Sequence, residues 1–127
     1  MKKVISTALF ATAFVFASSN VFADSVVASY TCKLKEGKTT EEVIAKNNVW
    51  LKWVRANINK DITSEVGTAI VGKQDMFIFV DTYPDLTVWA ATATALDSDA
   101  AVELKDLFDE VSECTENKLW KFKPSSS

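Results

Sequence analysis

The chain has 127 residues with 14 basic and 17 acidic side chains, a formal charge of −3, no His, three Gly and two Cys. Without His it can form neither a Ser-His-Asp nor a Cys-His nucleophile, and it lacks the commonest zinc and haem ligand. Gly37, Gly67 and Gly72 lie too far apart for a phosphate-cradling loop. The acidic balance suits solubility better than contact with nucleic acid or an anionic membrane.

The opening, MKKVISTALFATAFVFASSNVFA, reads as a bacterial-type secretory signal. Lys2 and Lys3 form the positive start, residues 4–17 the apolar run, and Val21-Phe22-Ala23 a small-x-small cleavage site. The apolar run is shorter than the roughly 20 residues of a spanning helix. Cleavage after Ala23 would leave residues 24–123 as a single domain and 124–127 as a disordered tail. The product would be secreted or periplasmic, with no lipid anchor and no membrane partner.

VVASYTCKL, at 26–34, is rich in β-formers and predicts a first strand. After a turn at Glu36-Gly37-Lys38, Thr39-x-x-Glu42 is a capping-box pattern that starts a helix running to about Asn57. Residues 62–72 and 76–83 predict two strands joined through Lys73-Gln74-Asp75 as a hairpin. Pro84 ends the second of these and opens a helical run over 85–96. Asp97-Ser98-Asp99 interrupts it, and 100–113 resumes as helix with Leu104, Leu107, Phe108 and Val111 on one side. Residues 115–123 predict the last strand. The acidic groups Asp97/Asp99 and Asp106/Asp109/Glu110 do not match a calcium loop and read as a solvated helix start and face.

The order β-α-β-β-α-β is the ferredoxin-like pattern, an α+β protomer. Its first and third strands are expected at the centre, running parallel, with the fourth antiparallel beside the first. Cys32 near the end of strand one and Cys114 near the start of strand four would then meet. In an oxidising compartment such an even pair reads as a disulfide, worth roughly 4 kcal/mol on the chain-entropy model. In MFIFVDTY, Met76, Ile78 and Val80 face one way and Phe77 and Phe79 the other. Both faces of that strand are apolar, so a second copy is expected to cover the sheet as a homodimer.

The first helix carries NNVWLKW, from Asn47 to Trp53. Val43, Asn47, Trp50, Leu51, Val54 and Ile58 share a face, so Asn47 falls inside an apolar stripe. Two readings stay open. Trp50 is core, Trp53 a flank residue, and Asn47 bonds a nearby backbone group. Alternatively, Asn47 and Trp50 wall a cavity together with Tyr30, Asp81 and Tyr83, which the expected strand directions place at one end of the domain. Trp89, after Pro84, would close that pocket or pack beside Leu86 and Ala93. Asp81 is expected where its strand reaches solvent; the alternative is a buried acid with a raised pKa, fit to act as a base.

The element order, the length, the two-faced third strand and the phrase VDTYPDLTVWA resemble the dimeric α/β-barrel superfamily, in particular the antibiotic-biosynthesis-monooxygenase-like domains. The resemblance spans nearly the whole expected mature chain and rests on architecture. It implies a ferredoxin-like protomer, a dimeric α/β barrel and a pocket between helices and sheet. Some members oxidise phenolic polyketides without metal or flavin; others degrade haem using an Asn, a Trp and a His, and this chain has no His. The leading expectation is a pocket for a small aromatic or apolar molecule, with no cofactor. The alternatives are a cofactor-independent monooxygenase on a phenol, using Asn47, Tyr30 and Asp81 with Trp50 stacked on the ring, and a structural or interaction protein without a ligand.

Overall fold

The computed structural model describes residues 25–126. The expected signal sequence lies outside the described residues, as does Ser127. The elements are β1 (Val26–Leu34), α1 (Thr40–Asn57), β2 (Thr63–Thr68), β3 (Met76–Tyr83), α2 (Leu86–Leu96), a 3-10 turn (Asp99–Ala101), α3 (Val102–Asp109) and β4 (Ser112–Lys121). None of the described helices is long and apolar enough to cross a membrane.

Local chemistry sets the helix starts. Thr39 caps α1 reciprocally: its hydroxyl accepts from the Glu42 backbone N–H, and the Glu42 carboxylate accepts from the Thr39 backbone N–H at 2.8 Å. Each bond satisfies a backbone group that a helix end leaves open. Asp85 caps α2 with a single bond, its carboxylate accepting from the Val88 backbone N–H at 2.9 Å. The buried residues of α1 are Val43, Asn47, Trp50 and Val54, a four-three-four spacing that turns one stripe onto the sheet.

The sheet order is β2-β3-β1-β4, and every neighbouring pair is antiparallel. The parallel arrangement expected of β1 and β3 is therefore corrected. Helix α1 carries the chain back across the sheet, so β2 runs with β1. The hairpin then reverses β3 between them.

Three boundaries also shift. Strand β2 stops at Thr68, because β3 pairs with it only as far as Phe77. The apolar Ile70 and Val71 are left exposed in the loop. Helix α3 ends at Asp109, and β4 begins at Ser112, opposite Leu34. Ladder pairing overrides the helical pattern there.

The disulfide joins Cys32 to Cys114 as expected. Its geometry depends on a one-residue bulge: Thr31 pairs with Glu116, but Cys32 pairs with Cys114. Had the register of Thr31 and Glu116 continued without the bulge, Cys114 would pair with Lys33 and point to the opposite face of the sheet.

The helices cover one face only. On that face Val26, Ala28, Trp50, Val54, Ile62 and Tyr83 form one core cluster, and Cys32, Val43, Phe77, Phe79 and Val111 a second. The opposite face presents Val27, Val80, Ile78 (39 % exposed) and Trp120 (44 % exposed), with the Trp120 indole N–H donating to Ser29 Oγ at 2.9 Å.

The disulfide spans 82 positions, so its reduction should cost roughly 4 kcal/mol through the gain in unfolded-state entropy. That corresponds to a fall of about 2 M in the urea midpoint. Urea titration of the oxidised and the reduced protein checks this. An unchanged midpoint would show that the bond does not constrain the unfolded chain.

Candidate functional site

Between the covered sheet face and the helices lies a cavity of about 270 Å³. Its inner wall consists of Tyr30 from β1, Asn47 and Trp50 from α1, and Phe79 and Asp81 from β3. Leu96, Leu104 and Phe108 close the helical side, and Lys105 and Asp109 stand at its exposed edge. Cys114 brings the disulfide into the wall. Phe108 meets Phe79 edge to face, ring centres 5.2 Å apart, and Phe79 meets Phe77 in the same way at 5.1 Å. Such contacts keep the lining rigid as well as apolar. An ion pair between Lys46 and Glu110, at 3.0 Å, links α1 to the end of α3. The Lys46 ammonium holds the Glu110 carboxyl below its ordinary range.

Asp81 is the carboxyl on the inner wall of this mainly apolar lining. It is 5 % exposed, which corrects the expectation that the strand reaches solvent here. Strand alternation explains the burial: Phe77, Phe79, Asp81 and Tyr83 share the inner face, opposite Cys32, Tyr30, Ala28 and Val26. Its carboxylate accepts from Ser64 Oγ at 2.5 Å, and Asn47 Nδ2 donates to the same Ser64 Oγ at 2.8 Å. Asn47, itself 6 % exposed, thus bonds a side chain and not the backbone group considered for it. Burial drives the Asp81 pKa up from 3.8 to about 7, against the opposing pull of the Ser64 hydrogen bond. The carboxyl therefore sits near its midpoint at neutral pH, where a group can both take and return a proton.

Burial, and then the charge of Asp81, raise the pKa of the Tyr30 phenol, so it stays protonated. Tyr83 shifts the same way, first through burial and then through Asp81 and Tyr30.

Four of the residues singled out from sequence, Tyr30, Asn47, Trp50 and Asp81, share one wall. They meet for a different reason from the one expected. With β1 and β3 antiparallel, Asp81 pairs with Ala28 and Tyr30 with Phe79, so the group assembles near mid-sheet under the middle of α1. Trp50 answers both readings of NNVWLKW: it belongs to the core cluster and also lines the cavity. Trp53 packs against the edge of that cluster.

Tyr83 and Trp89 are not in the cavity wall. Tyr83 is fully buried in the core, and Trp89 packs against the same cluster. The residue that sequence reasoning missed is Ser64. The hairpin register places it directly opposite Asp81, a relation that only a correct count across the β2–β3 loop would have revealed.

A tetrapyrrole does not fit these residues. The chain has no His, both Cys are joined in the disulfide, and a cavity of about 270 Å³ is too small for a macrocycle. Among the described residues no group of three or more His, Cys, Asp or Glu side chains is placed to hold a metal ion.

Compared with family models and with curated proteins, the sequence matches none. Its structure resembles several that have been solved. SnoaB, a cofactor-independent oxygenase from Streptomyces nogalater, matches over 81 % of this chain and 97 % of its own, at 10 % identity and a TM-score of 0.60. A NIPSNAP-like domain protein from Burkholderia xenovorans matches over 81 % and 91 %, at 14 % identity and a TM-score of 0.55. A dimeric protein of unknown function with a ferredoxin-like fold, from Bacteroides fragilis, matches over 77 % and 96 %, at 17 % identity and a TM-score of 0.50. The likeness shows the fold: a ferredoxin-like α+β protomer.

The raised pKa of Asp81 predicts a pH-dependent stability. The folded protein binds more protons than the unfolded one between pH 3.8 and about 7. The stability from burying a neutral carboxyl is therefore fully present below pH 3.8 and is lost as pH rises through 7. Asp81→Asn removes the titrating group. Relative to wild type, the variant should gain on the order of 4 kcal/mol between pH 4 and pH 9. Urea unfolding of both proteins at the two pH values measures this; an equal difference at both would place Asp81 in solvent.

Proposed function

We propose that this domain binds a small aromatic molecule in the cavity and that Asp81 takes a weakly acidic proton from it. The observation that carries the reading is Asp81 itself: a buried carboxyl with a pKa of about 7 in a mainly apolar and aromatic wall. A pocket meant only to hold an apolar ligand has no use for a group so costly to bury. The volume, about 270 Å³, lies just under the ~300–1,000 Å³ usual for ligand pockets and suits a molecule of one to three fused rings. Trp50 and Phe79 provide faces for those rings.

An ionised phenol or anthrone-like carbon acid is electron-rich enough to react with dioxygen without a metal or flavin. In a methylene-to-carbonyl conversion, one oxygen atom enters the substrate and the other leaves as water with the two hydrogens removed. Support for this as the reaction comes from the fold shared with a cofactor-independent oxygenase and from the buried acid. The polar chain Asn47–Ser64–Asp81 would hold the base in place.

We further propose that the domain is exported and works as a homodimer. The uncovered sheet face, with Val27, Ile78, Val80 and Trp120, has the apolar character of an interface. One structural neighbour on this fold is dimeric. A partner sheet laid on that face would exclude water from it.

Two measurements test these proposals. A panel of one- to three-ring phenols and anthrones, followed by tryptophan fluorescence and oxygen consumption, should give at least one compound that binds and consumes oxygen. The rate should rise with pH through about 7 and fall ~10²–10⁴-fold in Asp81→Asn. Binding without oxygen uptake would leave a binding module, and no binding by any compound would remove the pocket reading. For assembly, analytical ultracentrifugation should give a dimer for wild type and a monomer for Ile78→Glu. A monomeric wild type would remove the dimer.

A further inference from the structure

The cavity has two unlike ends. Its inner end holds Asp81, buried, with Asn47 in the same wall. Its outer end is a rim on α3. Leu104 and Phe108, four residues apart, turn the apolar stripe of that helix into the cavity. Lys105 and Asp109, each one position further round the helix, therefore border the opening. The Lys105 side chain lines the wall and yet is 58 % exposed. That is the posture of an alkyl stem laid along apolar surface with its ammonium in water.

The Lys105 charge is only loosely engaged. Its ion pair is with Asp97, at 3.9 Å between two exposed side chains, a contact that contributes little. Asp109 lies one turn along the helix, but a Lys four residues before its acid has the weaker of the two orders for such a pair. An anionic group on a ligand can therefore take the place of Asp97 at small cost. The inner end excludes the same group. A second carboxylate beside Asp81 would lose its hydration and meet a like charge. The two ends thus sort the polar groups of a ligand: the weakly acidic one goes inward, and the ionised one stays at the rim.

We infer that the ligand is an aromatic acid: a fused-ring phenol whose carboxylate stays at the opening and pairs with Lys105. Its rings fill the apolar space between rim and floor, against Trp50, Phe79 and Phe108. Lys105 is then a specificity-determining residue. It decides which end of the ligand enters first, and so which group reaches Asp81. Asp109, on the same rim, opposes the ligand's charge and keeps the preference modest. The inference rests on the ligand-binding reading above, and it holds whether or not the bound molecule goes on to react.

The probes are 6-hydroxy-2-naphthoate and its uncharged amide, which share the two rings and the phenol. Tryptophan fluorescence reads the affinity of the oxidised protein for each. Wild type should bind the carboxylate roughly 3- to 5-fold tighter than the amide, and the difference should vanish in about 1 M salt. Lys105→Gln should bring the two affinities together. Lys105→Arg, which keeps the charge, should hold them apart, and Asp109→Asn should widen the gap. Equal affinities in wild type, or a preference that survives Lys105→Gln, would overturn the inference and leave the pocket reading in place. Binding of neither compound would overturn both.

Discussion

A carboxyl buried in an apolar strand is the constraint on which the account of this protein turns. Asp81 has almost no contact with solvent, and water would solvate its charge far better than the cavity does. The fold compensates with one hydroxyl, Ser64, which is steadied in turn by Asn47. Three elements are thereby fixed to one another: α1 through Asn47, β2 through Ser64 and β3 through Asp81. The compensation is incomplete. One strong hydrogen bond does not restore the solvation of a full charge, and the carboxyl responds by holding its proton to about pH 7. A purely structural solution would have placed Leu or Val there. The acid remains at the edge of an empty space lined with aromatic rings, where its proton affinity is useful.

The disulfide and the sheet bulge serve the same space. Cys32 belongs to the second core cluster and Cys114 to the cavity wall, so their bond fixes the start of β4 where α3 delivers it. Phe108, on α3, can then close against Phe79. The extra residue Thr115 allows both cysteines to face inward while the rest of β4 keeps Trp120 on the opposite side. One local irregularity thus determines the lining of the cavity and the character of the outer face.

Much of this was legible in the chain. The capping box fixed the start of α1, the alternation in MFIFVDTY gave the two faces of β3, and the cysteine positions agreed with the topology. The same alternation also foretold the burial of Asp81, because residue 81 shares the parity of Phe77 and Phe79; a carboxylate reads as exposed only when that parity is overlooked. Strand direction and register were less accessible. They depend on pairings between residues far apart in sequence, and hydrophobic pattern alone carries no information about them. That is why β1 and β3 were expected to be parallel, why Tyr83 was placed in the pocket wall, and why Ser64 went unnoticed. The exposed Ile70 and Val71 misled the strand boundary for a related reason: β-forming residues continue past the point where a partner strand exists.

The central claim is that Asp81 is a buried acid poised to exchange its proton near neutral pH. Carbon-13 NMR titration of the Asp81 side-chain carboxyl, assigned by comparison with Asp81→Asn, tests it without knowledge of any ligand. The account predicts a midpoint near 7. A midpoint near the ordinary value of 3.8 would contradict it, and would return the cavity to the status of a packing defect beneath a solvated strand end.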